Sequence, residues 1–305
     1  MSVLVTGGAG FIASNFLHHI CSKGYDDVIV IDKLTYAGDY ENISDLPITF
    51  YQTDITDESN CEDIFKKHKP RSVFNFAAES HVDNSIKNCS EFIHTNINGT
   101  VNLLNLSVKY DVNKFLHVST DEVYGSIEEG SFKEDTIYNP RNPYSASKAS
   151  SDHFVMAYHH TYGLPTVITN CSNNYGPRQH LEKMIPKIIT NILKNEKIPV
   201  YGKGEQIRDW LYVEDHCEAL LDVYYAGAVG EKYNIGGQCE MRNIDLVKLI
   251  IKIMNSSEDL IEFVEDRPGH DYRYSTDITK INNTVAWKPK FTLENALMKT
   301  IEWYV

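Results

Sequence analysis

SVLVTGGAGFIAS, residues 2–14, decides the fold: a β-rich apolar run passes directly into a glycine turn, and the turn opens a helical pattern. A strand, then glycines, then a helix is the context that a dinucleotide fingerprint requires. Gly7 and Gly10 permit the tight turn and let amides at the helix start approach a pyrophosphate. Ala13 stands where a third glycine often lies, a change that close helix–strand packing accepts. Asp32 closes the next β-rich run, about 20 residues past the glycines. There a carboxylate can accept from both hydroxyls of an adenosine ribose and would repel a 2′-phosphate, so the spacing predicts NAD rather than NADP. Asp54 and Ile55, after a third short run, are placed to flank the adenine, although an Asp at such a point is a helix N-cap about as often.

Outward from that unit, SVLVT (2–6), DVIVI (27–31), SVFNF (72–76), KFLHVS (114–119) and TVIT (166–169) alternate with amphipathic stretches. Alternation of this kind predicts an α/β fold: a Rossmann-type, doubly wound parallel sheet with crossover helices. Beyond about Tyr175 the pattern loosens into a loop over 176–182, a helix near 184–194, short mixed segments and a last helix from about Leu293. The expected division is a main NAD-binding domain over 1–175 and a smaller substrate-binding region over 176–305, some of whose segments return to the first domain. No repeat or flexible linker separates them, so they should pack as one unit.

The chemistry concentrates in STDEVYG (119–125) and YSASK (144–148). Tyr144 and Lys148, four apart, share a helix face, so the ammonium is expected to stabilise the phenolate and bring a group of reference pKa ~10 toward working range. Oxidation of an alcohol needs only that pair. Elimination of water also needs a base for a carbon-bound proton and an acid for the departing hydroxyl, and Asp121 and Glu122 are two adjacent carboxyls. An isolated Asp-Glu is most often a solvated turn. Here the pair follows a strand at its carboxyl end, where doubly wound sheets bind ligands, and the tyrosine follows 22 residues after Glu122.

Composition narrows the class. The 305 residues carry a formal net charge of -13, which argues against non-specific binding to nucleic acid or to anionic membranes and obliges the chain to supply local cations to any anionic ligand. No apolar run is long enough to span a bilayer, and the amino terminus breaks into Gly7, Gly8 and Gly10 rather than a signal-peptide cleavage site, which predicts a cytoplasmic protein. Cys21, Cys61, Cys89, Cys171, Cys217 and Cys239 lack metal-ligand or redox-motif spacing, so free thiols and no metal site are expected.

TGGAGFIAS, DKLTYAG, FAAESHVD, STDEVYG, NPYSASKA, NNYGP, EKMIP, RDWLYVEDH and DRPGHD occur in the order and approximate spacing of the nucleoside-diphosphate-glucose 4,6-dehydratases, and nearly the whole chain resembles that branch of the extended short-chain dehydrogenases. The resemblance implies that Phe11, Ile12, Asp32, Lys33, Leu34, Thr35, Asp54, Ile55, Phe76, Ala77, Ala78, Ser80, Thr95, Tyr144, Lys148 and Asn174 surround NAD. It implies that Ser80, Thr120, Asp121, Glu122, Asn173, Lys183, Met184, Pro199, Tyr201, Arg208, Asn243, Arg267 and His270 line the nucleotide-sugar pocket. Lys183, Arg208 and Arg267 would then be the cations for a diphosphate, and Tyr201 would stack on the base. The implied chemistry has Tyr144 and Lys148 oxidising carbon 4, Glu122 taking the proton of carbon 5, Asp121 protonating the leaving 6-hydroxyl, and Thr120 holding the 4-oxygen. Relatives usually form homodimers through a four-helix bundle, for which the helix around 90–109 and the Tyr144/Lys148 helix are the candidates. Phe154, Val155 and Tyr158 on the latter suit either that interface or an internal core.

Three features depart from the common bacterial pattern: Arg178, His180 and Leu181 in the loop after NNYGP, Asn84 after HVD, and a compact segment before NPYSASK. The loop differences bear on the base, since thymine and uracil differ by one methyl, worth ~1–3 kcal/mol in a pocket. The motifs lean to dTDP-glucose over UDP-glucose. A nucleotide-sugar 4-epimerase and a UDP-glucuronate decarboxylase share fold, NAD and Tyr/Lys pair, but the first resembles sequences without the two carboxyls and the second has serine where Asp121 stands. A catalytically silent NAD-binding redox sensor is the non-enzymatic alternative.

Overall fold

The computed structural model describes residues 2–266 and 268–305. In chain order its strands are β1 Val3–Thr6, β2 Val28–Asp32, β3 Thr49–Gln52, β4 Ser72–Asn75, β5 Lys114–Thr120, β6 Thr166–Cys171, β7 Asn173–Tyr175, β8 Ile198–Tyr201, β9 Ile207–Tyr212, β10 Glu231–Ile235, β11 Glu240–Arg242 and β12 Ile261–Val264. Seven of them form one sheet in the order β10-β6-β5-β4-β1-β2-β3, with every pair parallel. Side chains alternate across it. Val3 and Val5 face Phe16, Leu17 and Ile20 of the helix Phe11–Ser22 and Leu220 of the helix Val213–Ala226. Leu4, Ile29, Ile31 and Val73 face Leu103, Leu104 and Val155 on the other side. Both faces are covered, which is why these strands read as continuous apolar runs. Each fully buried Leu, Ile, Val or Phe is worth about 1.5–3 kcal/mol.

Beyond β6 the chain splits its work. The helices Val213–Ala226 and Thr279–Val285 and strand β10 return to the large sheet. Two small sheets, β11-β9-β7 and β12-β8, with the helices Met184–Lys194, Asn243–Ile253 and Leu293–Tyr304, enclose a separate core around Ile188, Leu246, Ile250 and Leu297. In EKYNI (231–235) two polar residues lead the run, so β10 gives no apolar signal in the sequence. The helical stretch over 90–109 contains wide, π-type turns over Ile93–Gly99 before it resumes as Thr100–Lys109. On the helix Pro143–Tyr162, Val155 is core, Tyr158 packs against the same cluster, and Phe154 is 42% exposed.

β1 has β2 on one side and β4 on the other, so the chain leads away from it in both directions and a crevice opens at the carboxyl ends of β1 and β4. Gly7 sits at that crevice with φ +68, and a Cβ there would lie 2.7 Å from the Ala77 Cα. Gly8 packs as tightly on Val30, with a would-be Cβ 2.3 Å from its Cγ1. Gly7→Ala is therefore expected to cost at least about 1–3 kcal/mol from the left-handed backbone alone. Urea denaturation should show that loss together with loss of co-purifying dinucleotide.

Candidate active site

The carboxyl ends of β1 to β6 converge on one cavity. It is lined by Gly7, Gly10, Phe11, Ile12, Asp32, Lys33, Thr35, Asp54, Ile55, Phe76, Ala77, Ala78, Ser80 and Thr95, and by Thr120, Glu122, Tyr144, Lys148, Asn173, Asn174 and Lys183. Its glycine end is a phosphate cradle. Gly10 starts the helix Phe11–Ser22 with no side-chain cap on the first amides, leaving those donors to a ligand. Asp32 is buried, and its two oxygens accept one backbone amide each, from Ala9 at 3.0 Å and Leu34 at 2.8 Å. Each oxygen keeps a lone pair for a ribose hydroxyl. Leu34 contributes through that amide, while its side chain packs on the core. Lys33 bonds Thr95 Oγ1 at 3.0 Å and pairs with Asp54 at 3.4 Å. Asp54 accepts the Thr56 amide, whereas the N-cap of the helix Glu58–His68 is Asp57. The uncapped amides, the buried carboxylate and the close approach at Gly7 fit a dinucleotide.

The reactive end is built on β5 and the helix Pro143–Tyr162. After Thr120 the chain makes one tight turn over Asp121–Tyr124, with Thr120 Oγ1 capping it by accepting the Glu122 amide at 3.2 Å. Asn142 and Ser145 form a capping box at the helix start, and the Tyr144 amide donates to Ser85 Oγ at 3.2 Å, which fixes the first turn from which Tyr144 and Lys148 project. Thr120 donates to Asp121 Oδ1 at 3.4 Å, and the same hydroxyl lies near enough to Tyr144 to favour its phenolate.

Asp121 lies behind the cavity wall, 2% exposed, and its buried Oδ2 has no hydrogen-bond partner. Burial, then the charges of Glu122 and Asp209, raise its carboxyl well above the usual range. That environment suits an acid that must hold a proton. Lys148 is pushed down to about 8, chiefly by burial. Tyr144 departs from the expectation of a phenol lowered by its lysine. Burial and then Glu122 raise it well above its ordinary value, while the Lys148 ammonium is spent on the Val118 carbonyl at 2.9 Å. Sharing a helix face did not make the lysine its partner, because burial and the Glu122 charge both act against the phenolate.

The remaining sequence candidates among the described residues sit outside this cavity. Met184 opens the helix Met184–Lys194 and packs on the carboxy-terminal core. Pro199 and Tyr201 lie on β8, Tyr201 reaches Asp83 Oδ2 at 3.4 Å, and its ring stands edge-on to His270 at 6.2 Å. His270 bonds Asp266 at 2.6 Å. Asn243 opens a helix with its Oδ1 buried and unpaired. Arg208 is 5% exposed, donates to the carbonyls of Ile207, Tyr272 and Asp271, and lies over the Tyr274 ring. Arg267 falls outside the described residues. Among the described residues no three metal-ligating side chains gather and no helix is long and apolar enough to cross a membrane.

Several residues at the cavity carry no sequence signal of their own. Ser119, Cys171, Ser172 and Gln179 line it, and Asn96, in the wide turns, clamps the segment that follows β4 by accepting the Glu79 amide at 2.8 Å and donating to the Glu79 carbonyl at 3.0 Å. Cys171 and Ser172 follow from the strand rule, since they end β6 beside Thr120. Asn96 does not, because a polar residue at one helical position looks like any solvated face.

This arrangement, a dinucleotide cradle with Tyr144, Lys148 and Glu122 at its reactive end and Asp121 buried behind them, defines a nucleotide-sugar-modifying enzyme class. The family model described as GDP-mannose 4,6 dehydratase matches residues 4–300, and the chain belongs to that family. It is 48% identical to a dTDP-glucose 4,6-dehydratase of Escherichia coli, over 100% of this chain and 94% of that protein. Among solved structures, a dTDP-glucose 4,6-dehydratase of Streptomyces venezuelae with NAD and dTDP bound is 42% identical with TM-score 0.97, covering 100% of this chain and 97% of that one. A UDP-glucose 4-epimerase of Thermotoga maritima with UDP-glucose is 33% identical with TM-score 0.95, covering 100% and 98%. Backbone shape alone therefore does not separate dehydratase from epimerase.

The Asp121 environment has a direct spectroscopic signature. The infrared band of a protonated carboxyl, identified by its loss in Asp121→Asn, is expected to persist to higher pH than for an ordinary aspartic acid. A band that titrates in the ordinary carboxyl range would remove the acid from the scheme.

Proposed function

We propose that the chain converts dTDP-glucose to dTDP-4-keto-6-deoxyglucose and water, using NAD without net consumption. The observation that carries this reading is the turn over Asp121–Tyr124 at the end of β5, which sets Glu122 in the cavity wall and Asp121 just behind it, both close enough to Tyr144 for their charges to act on it. Relatives named for this reaction support it.

Gly7, Gly10, Asp32, Lys33 and Asp54 would hold the dinucleotide. When bound there, NAD accepts hydride from carbon 4 of the sugar and returns it to carbon 6. Tyr144 takes the proton of the 4-hydroxyl, and Thr120 holds that oxygen. Since the polypeptide alone raises the Tyr144 pKa, the positive charge that favours the phenolate would have to be supplied by the oxidised cofactor. A 4-ketone acidifies the proton on carbon 5, which Glu122 removes while Asp121 gives its proton to the departing 6-hydroxyl. Glu122 returns a proton to carbon 5 in the final step. Lys183, which lines the cavity, supplies positive charge to the diphosphate, and Asn173 and Ser80 supply neutral contacts. Arg208 and Arg267 complete the cation set, with Met184, Pro199, Tyr201, Asn243 and His270 toward the nucleotide. The enzyme works as a cytoplasmic homodimer joined through the helices over 90–109 and 143–162, where Ile93 and Phe154 are exposed at 47% and 42%.

Incubation with dTDP-glucose and UDP-glucose, with products assigned by NMR, tests the reading. The expected product is the 4-keto-6-deoxy sugar, formed faster from the dTDP substrate; inversion at carbon 4 would assign an epimerase. Asp121→Asn with Glu122→Gln is expected to lower turnover by about 10²–10⁴-fold while NAD stays bound. Unchanged turnover would refute the acid and base roles. Light scattering should give twice the mass of the 34.8 kDa chain, and a monomer would refute the dimer.

A further inference from the structure

Lys148 is tied to a buried polar network that the scheme above does not use. Its Nζ lies 3.4 Å from His117 Nε2. That nitrogen also faces Ser151 Oγ at 3.2 Å and Asp152 Oδ1 at 3.5 Å. On the other side of the ring, the Asn75 amide nitrogen is 3.1 Å from His117 Nδ1, and the Asn75 oxygen accepts from Thr6 Oγ1 at 2.7 Å. With Asn75 so oriented, Nδ1 is an acceptor and Nε2 carries the hydrogen, directed toward Ser151 and Asp152. Asp152 Oδ2 accepts from Tyr138 at 2.8 Å and Asn170 at 3.2 Å, while Oδ1 is buried without a hydrogen bond. His117 and Asp152 are both within 1% of complete burial. A carboxylate so placed is costly unless a cation offsets it.

We propose that Asp152 is a positioning residue for this reaction: set beside the same nitrogen of a neutral His117 ring, its carboxylate is the buried counter-charge that keeps Lys148 an ammonium, and it thereby sets the upper pH limit of turnover. The inference rests on the dehydratase reading. Burial pushes Lys148 down, and Asp152 is the main influence opposing that fall. Burial, with the Lys148 charge, pushes His117 well below its ordinary value, so the ring stays neutral. Other ionisable groups around the pair are Tyr144 on the same helix, Cys171 at the end of β6, and Glu122 and Asp121 facing Tyr144; Tyr124, Lys232 and Glu134 lie on the Tyr138 side of Asp152. Burial raises the Asp152 carboxyl itself, and the Lys148 charge is the foremost influence against that rise, so each charge holds the other.

The sign follows from the lysine. Its charge is present below its folded pKa and lost above it, so removing the Asp152 charge lowers the pH at which turnover falls. In the intact protein acting on dTDP-glucose, Asp152→Asn is expected to move the alkaline limb of kcat down by about one pH unit, with KM within about twofold. Asp152→Glu keeps the charge and is expected to return the limb most of the way to its wild-type place. An alkaline limb in its wild-type place in Asp152→Asn overturns the proposal; where that variant does not fold or turn over, a limb in Asp152→Glu that falls by about one pH unit does so. A wild-type protein without turnover on dTDP-glucose would refute the underlying activity instead.

Discussion

Desolvation at the carboxyl end of β5 is the constraint on which the chemistry depends. Thr120 ends that strand, and within a few residues of it, or one helix away, lie Asp121, Lys148 and His117, all almost wholly buried, with Tyr144 at the cavity wall. Removal from water pushes each group toward its neutral form, so the acid gains a proton it can give and the lysine is poised to lose one. Parallel strands create this setting. Their ends come together at one edge, and helices on both faces exclude water from behind.

The same edge explains why oxidation and elimination can occur in one place. The dinucleotide cradle at β1 and the acid–base turn at β5 are separated by β4 alone in the sheet order. Thr6, Asn75 and His117 link those three strands through buried side-chain hydrogen bonds, which hold the glycine turn and the catalytic helix in fixed relation. Geometry that must serve several chemical steps without releasing an intermediate gains from such a link.

Much of this was legible in the sequence because the signals are local. Glycines after a strand, an acid at the end of the next strand, and Tyr and Lys one helical turn apart each declare themselves by spacing. What the sequence hid is long-range. Arg208 was expected as a cation for a diphosphate, yet tertiary packing buries it against the carbonyls of 271 and 272. Asn96 and Gln179 reach the site through turns that leave no periodic trace. Tyr144 illustrates the limit most clearly: its spacing to Lys148 was read correctly, but its acidity is set by burial and by Glu122, neither of which spacing records.

Hydrogen migration within the sugar tests the central claim most directly, because oxidation, elimination and reduction in one cavity must carry the same hydrogen from carbon 4 to carbon 6. dTDP-glucose deuterated at carbon 4 should give a 4-keto-6-deoxy product with deuterium on its methyl group. Deuterium retained at carbon 4, or a methyl group free of label, would contradict the combined mechanism.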